Sequence, residues 1–131
     1  MRYLRRLMAS ALLATTSMAH ADSRSADIES LEACVLETAV ANHEESCIGL
    51  LSAHCVDDGG TPLACMEGEV QLWFMIWSGT FATAPTPGAR GMQTLTERLN
   101  GCTSDGVAKA QCALAATAGL AIPAFLAIEG Q

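Results

Sequence analysis

Six cysteines are the side chains in this 131-residue chain whose type and number most clearly point to chemistry: Cys34, Cys47, Cys55, Cys65, Cys102 and Cys112. Their number is even, and all six follow a basic and then apolar leader. The chemistry expected of them is oxidation to disulfides in an exported protein. A zinc site would need three or four ligands at a recognisable spacing. His43, Glu44 and His54 are the only other clustered ligand types beyond residue 21, and their spacing fits no common zinc pattern. They read as a solvated polar turn, and no metal or cofactor is expected.

Acid–base and nucleophilic chemistry find no better footing. Glu44-Glu45, Asp57-Asp58 and Glu67/Glu69 are neighbouring carboxylates in polar stretches or on a helix face expected to be exposed. A general acid needs burial to raise its pKa. Serines and histidines are present, but a nucleophile elbow needs a strand–turn–helix, and no period-two strand pattern occurs. No catalytic residue is assigned, and the expectation is a binding or structural protein, not an enzyme.

The elements that carry these residues read as helices. Ile28, Leu31 and Val35 recur at three- and four-residue steps after a polar start at Asp22–Ser25, which predicts an amphipathic helix fading near Asn42. A short second helix is expected over Cys47 to Cys55, closed by the turn Asp57-Asp58-Gly59-Gly60. Thr61-Pro62 is an N-cap followed by proline at the first helical position. Leu63, Met66, Val70, Trp73 and Trp77 then predict one apolar stripe, widened by Phe74 and Ile76, on the central helix of about four turns. Both tryptophans fall in register with that stripe and are assigned to the core.

Ala84-Pro85-Thr86-Pro87-Gly88 predicts a loop, and Met92, Leu95 and Leu99 a short helix ending at Gly101. A last helix is expected from Val107 to about Ala121, with Leu114, Ala118 and Phe125 facing inward and Pro123 kinking or ending it. The uncharged run Ala113–Ile128 is shorter than the ~20 residues of a bilayer span. It is read as a core helix, and no stable membrane insertion is expected. The fold class is all-α: a small disulfide-stapled domain of about four to five helices.

Arg2, Arg5 and Arg6, the apolar stretch Leu7–Met18 and Ala19-His20-Ala21 have the layout of a cleavable signal peptide. Residues 1–21 are expected to be that signal and residues 22–131 a single domain, placed in the periplasm or secreted. The latter keeps four basic against fourteen acidic residues, a formal charge of −10. Nucleic acid and anionic membranes are poor partners for such a surface, whereas a basic protein is drawn to it.

Three stretches together resemble the LprI-like lysozyme inhibitor domain, a family of small exported helical proteins. They are Cys47-Ile48-Gly49 with Cys55 following, Cys65-x3-Glu69-x3-Trp73, and Cys112-x4-Thr117-Ala118-x2-Ala121. Arg98-x3-Cys102 is similar to the family's Arg-Asp-Ala-x-Cys. The likeness covers roughly residues 30 to 125. The family's Trp-Asp-x-Leu-Leu-Asn-x-x-Tyr reads Trp73-Phe74-Met75-Ile76-Trp77-Ser78-Gly79-Thr80-Phe81 here, and Leu99 replaces the Asp after Arg98. Polar family positions are thus mostly apolar in this chain.

Six cysteines allow many pairings, and spacing alone does not choose among them. The short family form implies Cys55 with Cys65. Cys102 and Cys112 flank a glycine-containing turn as nearest neighbours, which leaves Cys34 with Cys47. The resemblance further implies binding and inhibition of a lysozyme, and the −10 charge complements a basic one. Glu44, Glu45, Asp57 and Asp58 flank two expected turns and are the candidate contacts. The alternative is a cell-envelope interaction protein without inhibitory activity.

Overall fold

Short-range staples and long-range apolar packing divide the work of holding this chain. The structure is a computed structural model that describes residues 23–83 and 85–130; the expected signal segment and its cleavage point lie outside the described residues. Among the described residues five α-helices follow in order, α1 (23–39), α2 (Leu50–Asp57), α3 (Pro62–Gly79), α4 (Pro85–Asn100) and α5 (Gly106–Glu129), with a 3-10 turn at Glu44–Cys47 before α2. No strand occurs among the described residues. The architecture is the small disulfide-stapled all-α fold that the sequence predicts.

The centre of the core is α3 packed along α5. Trp73, Ile76 and Trp77 of α3 meet Leu114, Ala118, Ala121, Ile122 and Phe125 of α5, and α1 closes the cluster with the fully buried Leu31 and Val35. Helix α2 packs on α3, and α4 packs on α5. The disulfides are Cys34–Cys47, Cys55–Cys65 and Cys102–Cys112. Each removes conformations from the unfolded chain, an effect typically worth ~2–5 kcal/mol in a small domain.

Local chemistry explains the helix ends. The amide of Ala64 donates to Thr61 Oγ1 at 3.4 Å, and Pro62 opens α3 at no hydrogen-bonding cost. Helix α1 stops at residue 39, and Asn42 then takes a positive φ of 55°, which asparagine tolerates better than most residues. Gly49 sits at φ 91° between the 3-10 turn and α2, so the expected second helix is broken in two.

Two proline expectations need correction. Pro85 and Pro87 do not make a loop; they lie in the first turn of α4. The first amides of a helix have no intrahelical partner, so proline loses nothing there. Pro123 does not end α5, which continues to Glu129. Pro123 and Gly119, four residues before it, are both exposed, so the carbonyl freed by the missing amide can be hydrated. Ala121, Ile122 and Phe125 remain buried on either side and hold the last turns to the core.

The stripe on α3 also differs from expectation. Its buried residues are Cys65, Glu69, Trp73, Ile76 and Trp77. Leu63 and Phe74 are exposed, and Met66 and Val70 are only half-buried. The first half of α3 turns Cys65 and Glu69 toward α2, because the Cys55 bridge and a set of hydrogen bonds to Glu69 lie on that side.

By length and composition α5 is the one helix among the described residues able to cross a membrane, with mean hydropathy 1.8 over 18 residues. In the fold it buries eight residues against its neighbours.

Helix α4 comes close to Trp77 because residue 91 is glycine. A Cβ added there would lie 2.5 Å from Trp77 Cζ2. Trp77 is buried and held edge-on by Phe81 at 4.9 Å, so it has little room to yield. Gly91→Ala is therefore expected to cost about 1–3 kcal/mol through overpacking. The midpoint of urea unfolding measures it, and an unchanged midpoint would show that α4 can move aside.

Candidate functional site

Among the described residues the most elaborately bonded side chain is Glu69, only 2 % exposed on α3. Its Oε2 accepts the Gly49 amide at 2.7 Å and Trp73 Nε1–H at 3.0 Å. Its Oε1 accepts the Ser52 amide at 2.9 Å. Ser52 Oγ lies 3.2 Å from Oε1 and 3.3 Å from the Cys65 carbonyl, so its proton can serve either acceptor. One carboxylate of α3 thus caps the amino-terminal end of α2, where unpaired amides and the helix dipole favour an acid.

The sequence predicts Glu69 on an exposed face beside Glu67, and the structure differs. Glu67 is exposed and Glu69 is buried, so the two do not form a carboxylate pair. Every donor around Glu69 is a protein group fixed by the fold. The side chain is therefore occupied as an acceptor on both oxygens. A signal for its burial was present: Cys65, Glu69 and Trp73 are spaced by four, so they share one helix face.

The same geometry supplies a physical reason for two of the quoted motifs. In Cys47-Ile48-Gly49, the glycine takes the left-handed turn that presents its amide to Glu69, while Cys47 is bridged to Cys34. In Cys65-x3-Glu69-x3-Trp73, the cysteine staples α2, the glutamate caps it and the indole braces the glutamate.

The acidic candidates lie at the two ends of α2. Glu44 and Glu45 stand on the 3-10 turn before it, and Asp57 and Asp58 at its close. Eight helical residues separate the ends by about 12 Å. Glu45, Asp57 and Asp58 are exposed and Glu44 is half-buried. His43 Nδ1 lies 3.8 Å from Glu45 Oε1, with both side chains largely in solvent.

His54 is exposed in the last turn of α2. No group of three histidine, cysteine, aspartate or glutamate side chains converges as a metal site among the described residues.

A second acidic region joins Glu29 and Glu32 of α1 to Glu129 at the end of α5. Burial pushes the Glu32 carboxyl of α1 above the usual carboxylate range, and the nearby charges of Glu129 and Glu29 push it the same way. The protonated form is favoured by folding. This contribution is present below the unfolded carboxylate range and is lost as pH rises through the raised value.

Apolar surface is concentrated elsewhere. A hollow of about 520 Å³ lies between α3 and α4 over α5, lined by Phe74, Met75, Met92, Leu95 and Leu99 among others. Phe74 and Leu99, two of the positions that are polar in the family resembled above, both open onto it. Comparison with known protein families, curated proteins and solved structures finds no match to this chain.

Proposed function

We propose that the chain is an exported binding protein that blocks a basic, lysozyme-type cell-wall hydrolase, working in the periplasm or outside the cell. The observation that carries this reading is unneutralised acidity. Four basic residues face fourteen acidic ones over residues 22–131, and the acid–base contact found among the described residues is a single, solvent-exposed one, His43–Glu45. The exposed carboxylates are left to meet a partner's cations. The resemblance to lysozyme inhibitor domains points to the partner class.

The acidic pairs at the ends of α2 are the proposed contacts. Two disulfides and the Glu69 cap fix this element, so little ordering entropy is lost on binding. Exposed charges act over ~10 Å at 0.1 M salt. They are expected to speed association more than to deepen affinity.

The test is clearance of a cell-wall suspension by a basic lysozyme with rising amounts of the oxidised protein. Inhibition is expected at low salt, with an association rate that falls as salt rises. The triple variant Glu45→Gln, Asp57→Asn, Asp58→Asn should associate about tenfold more slowly or worse. Undiminished lysozyme activity at large molar excess, across several lysozyme classes, would overturn the reading. The envelope-interaction alternative would then stand. It draws support from Phe74 and Leu99, which put apolar surface where the resembled family is polar.

A further inference from the structure

Among the described residues, five of the nine exposed large apolar side chains, Leu63, Phe74, Met75, Met92 and Leu99, line one continuous groove. Single exposed apolar residues need no explanation, but a contiguous row on a soluble fold marks an interaction surface. Two hollows, of about 440 and 520 Å³, share Val70 and Gln71 and merge along α3. From Leu63 to Met75 the groove runs about 18 Å, some three helical turns. It lies on the side of α3 opposite Cys65 and Glu69, and hence away from α2 and its acidic ends.

We propose that this groove receives an amphipathic helix with an apolar face and basic flanks, presented by a partner protein. Its shape fits the helix-in-groove mode, in which side chains at i, i+3, i+4 and i+7 fill one slot. The two methionines supply an adaptable wall. Charge sets the flanks. Glu67 lines the groove, Asp105 stands just before Gly106 at one end, and Lys109 is the one cation among the lining residues. With a formal charge of −10 over residues 22–131, the surrounding field attracts a basic helix. A second copy carries the same charge. That shared negative charge disfavours a second copy as the occupant.

The proposal is independent of lysozyme inhibition, and so is its test. The probe is a labelled synthetic helix of about four turns with a leucine face and lysine flanks, titrated by fluorescence anisotropy against the oxidised protein. A matched helix carries glutamate flanks. The lysine helix is expected to bind at least roughly tenfold more tightly than the glutamate one. Phe74→Asp and Met92→Lys should each weaken it about tenfold or more at an unchanged melting temperature. Asp57→Asn with Asp58→Asn, on the other face, should leave it bound. Phe74 touches Trp77 edge-on at 6.0 Å, so if Phe74→Asp unfolds the protein, Met92→Lys carries the test.

Equal binding of both helices, binding indifferent to Met92→Lys, or no binding at all would overturn the proposal. So would a dimer in sedimentation that Met92→Lys dissociates, which would make the occupant a second copy. Uptake of a fluorescent fatty acid with no helix binding would make it a small amphiphile.

Discussion

Glu69→Ala is expected to be among the most damaging single changes in the protein. It leaves the amides of Gly49 and Ser52 and the Trp73 indole without their acceptor in a site that is 2 % exposed. Each stranded buried donor costs about 1–3 kcal/mol, and fraying of α2 lets water recover part of it. A loss of roughly 3–5 kcal/mol results, the range seen when a buried polar network loses a charged member. For a domain of this size that is a fall of roughly 15–30 °C in melting temperature. Glu69→Gln keeps the volume and one acceptor oxygen but turns an N–H toward the donors, so it should lose less. Melting followed by circular dichroism under oxidising conditions measures both. A fall of only a degree or two for Glu69→Ala would mean that α2 is held by the Cys55–Cys65 bridge alone.

Trp73→Ala attacks the same corner from the apolar side. The residue is 1 % exposed and lies in the main core cluster, so its truncation costs ~3–5 kcal/mol, against the ~5–15 kcal/mol that holds a domain together. Trp73→Phe restores most of the volume without the indole donor. It should cost about 1–2 kcal/mol if the bond to Glu69 matters as the 3.0 Å contact indicates. Because the two side chains touch, Glu69→Ala with Trp73→Ala should lose less than the sum of the single changes. Additive losses in that cycle would separate the indole from the cap, and a small effect of Trp73→Ala would remove the indole from the core altogether.

What the sequence discloses here follows from which signals are local. Thr61-Pro62 is legible because a cap and a first-turn proline act within three residues. Leu31, Val35 and Leu114 are legible because a three-to-four step fixes a face. Pro85 and Pro87 mislead because the same residue breaks a helix interior and opens a helix start, and only the position of the first turn tells the two apart. Pro123 misleads because burial of Ile122 and Phe125 outweighs one missing amide bond. Glu69 is the instructive miss. Its charge argues for solvent, while its place between Cys65 and Trp73 argues for the interior. The partner that settles the conflict, the open end of α2, lies 17 to 20 residues away and becomes visible only in three dimensions.

The three bridges join cysteines only 13, 10 and 10 residues apart. Two have closed by Cys65 and the third opens at Cys102, so no covalent crosslink spans the turn that follows Thr80. Cut there, the oxidised chain becomes two separate molecules, one carrying α1 to α3 and the other α4 and α5. What keeps them together is the seam of α3 against α5, centred on Trp73, Ile76 and Phe125. The bridges therefore secure each half against local fraying and leave the marriage of the halves to apolar contact. A protease able to nick that turn would convert a one-chain folding problem into a concentration-dependent assembly of two fragments, each arriving with its bridges already tied.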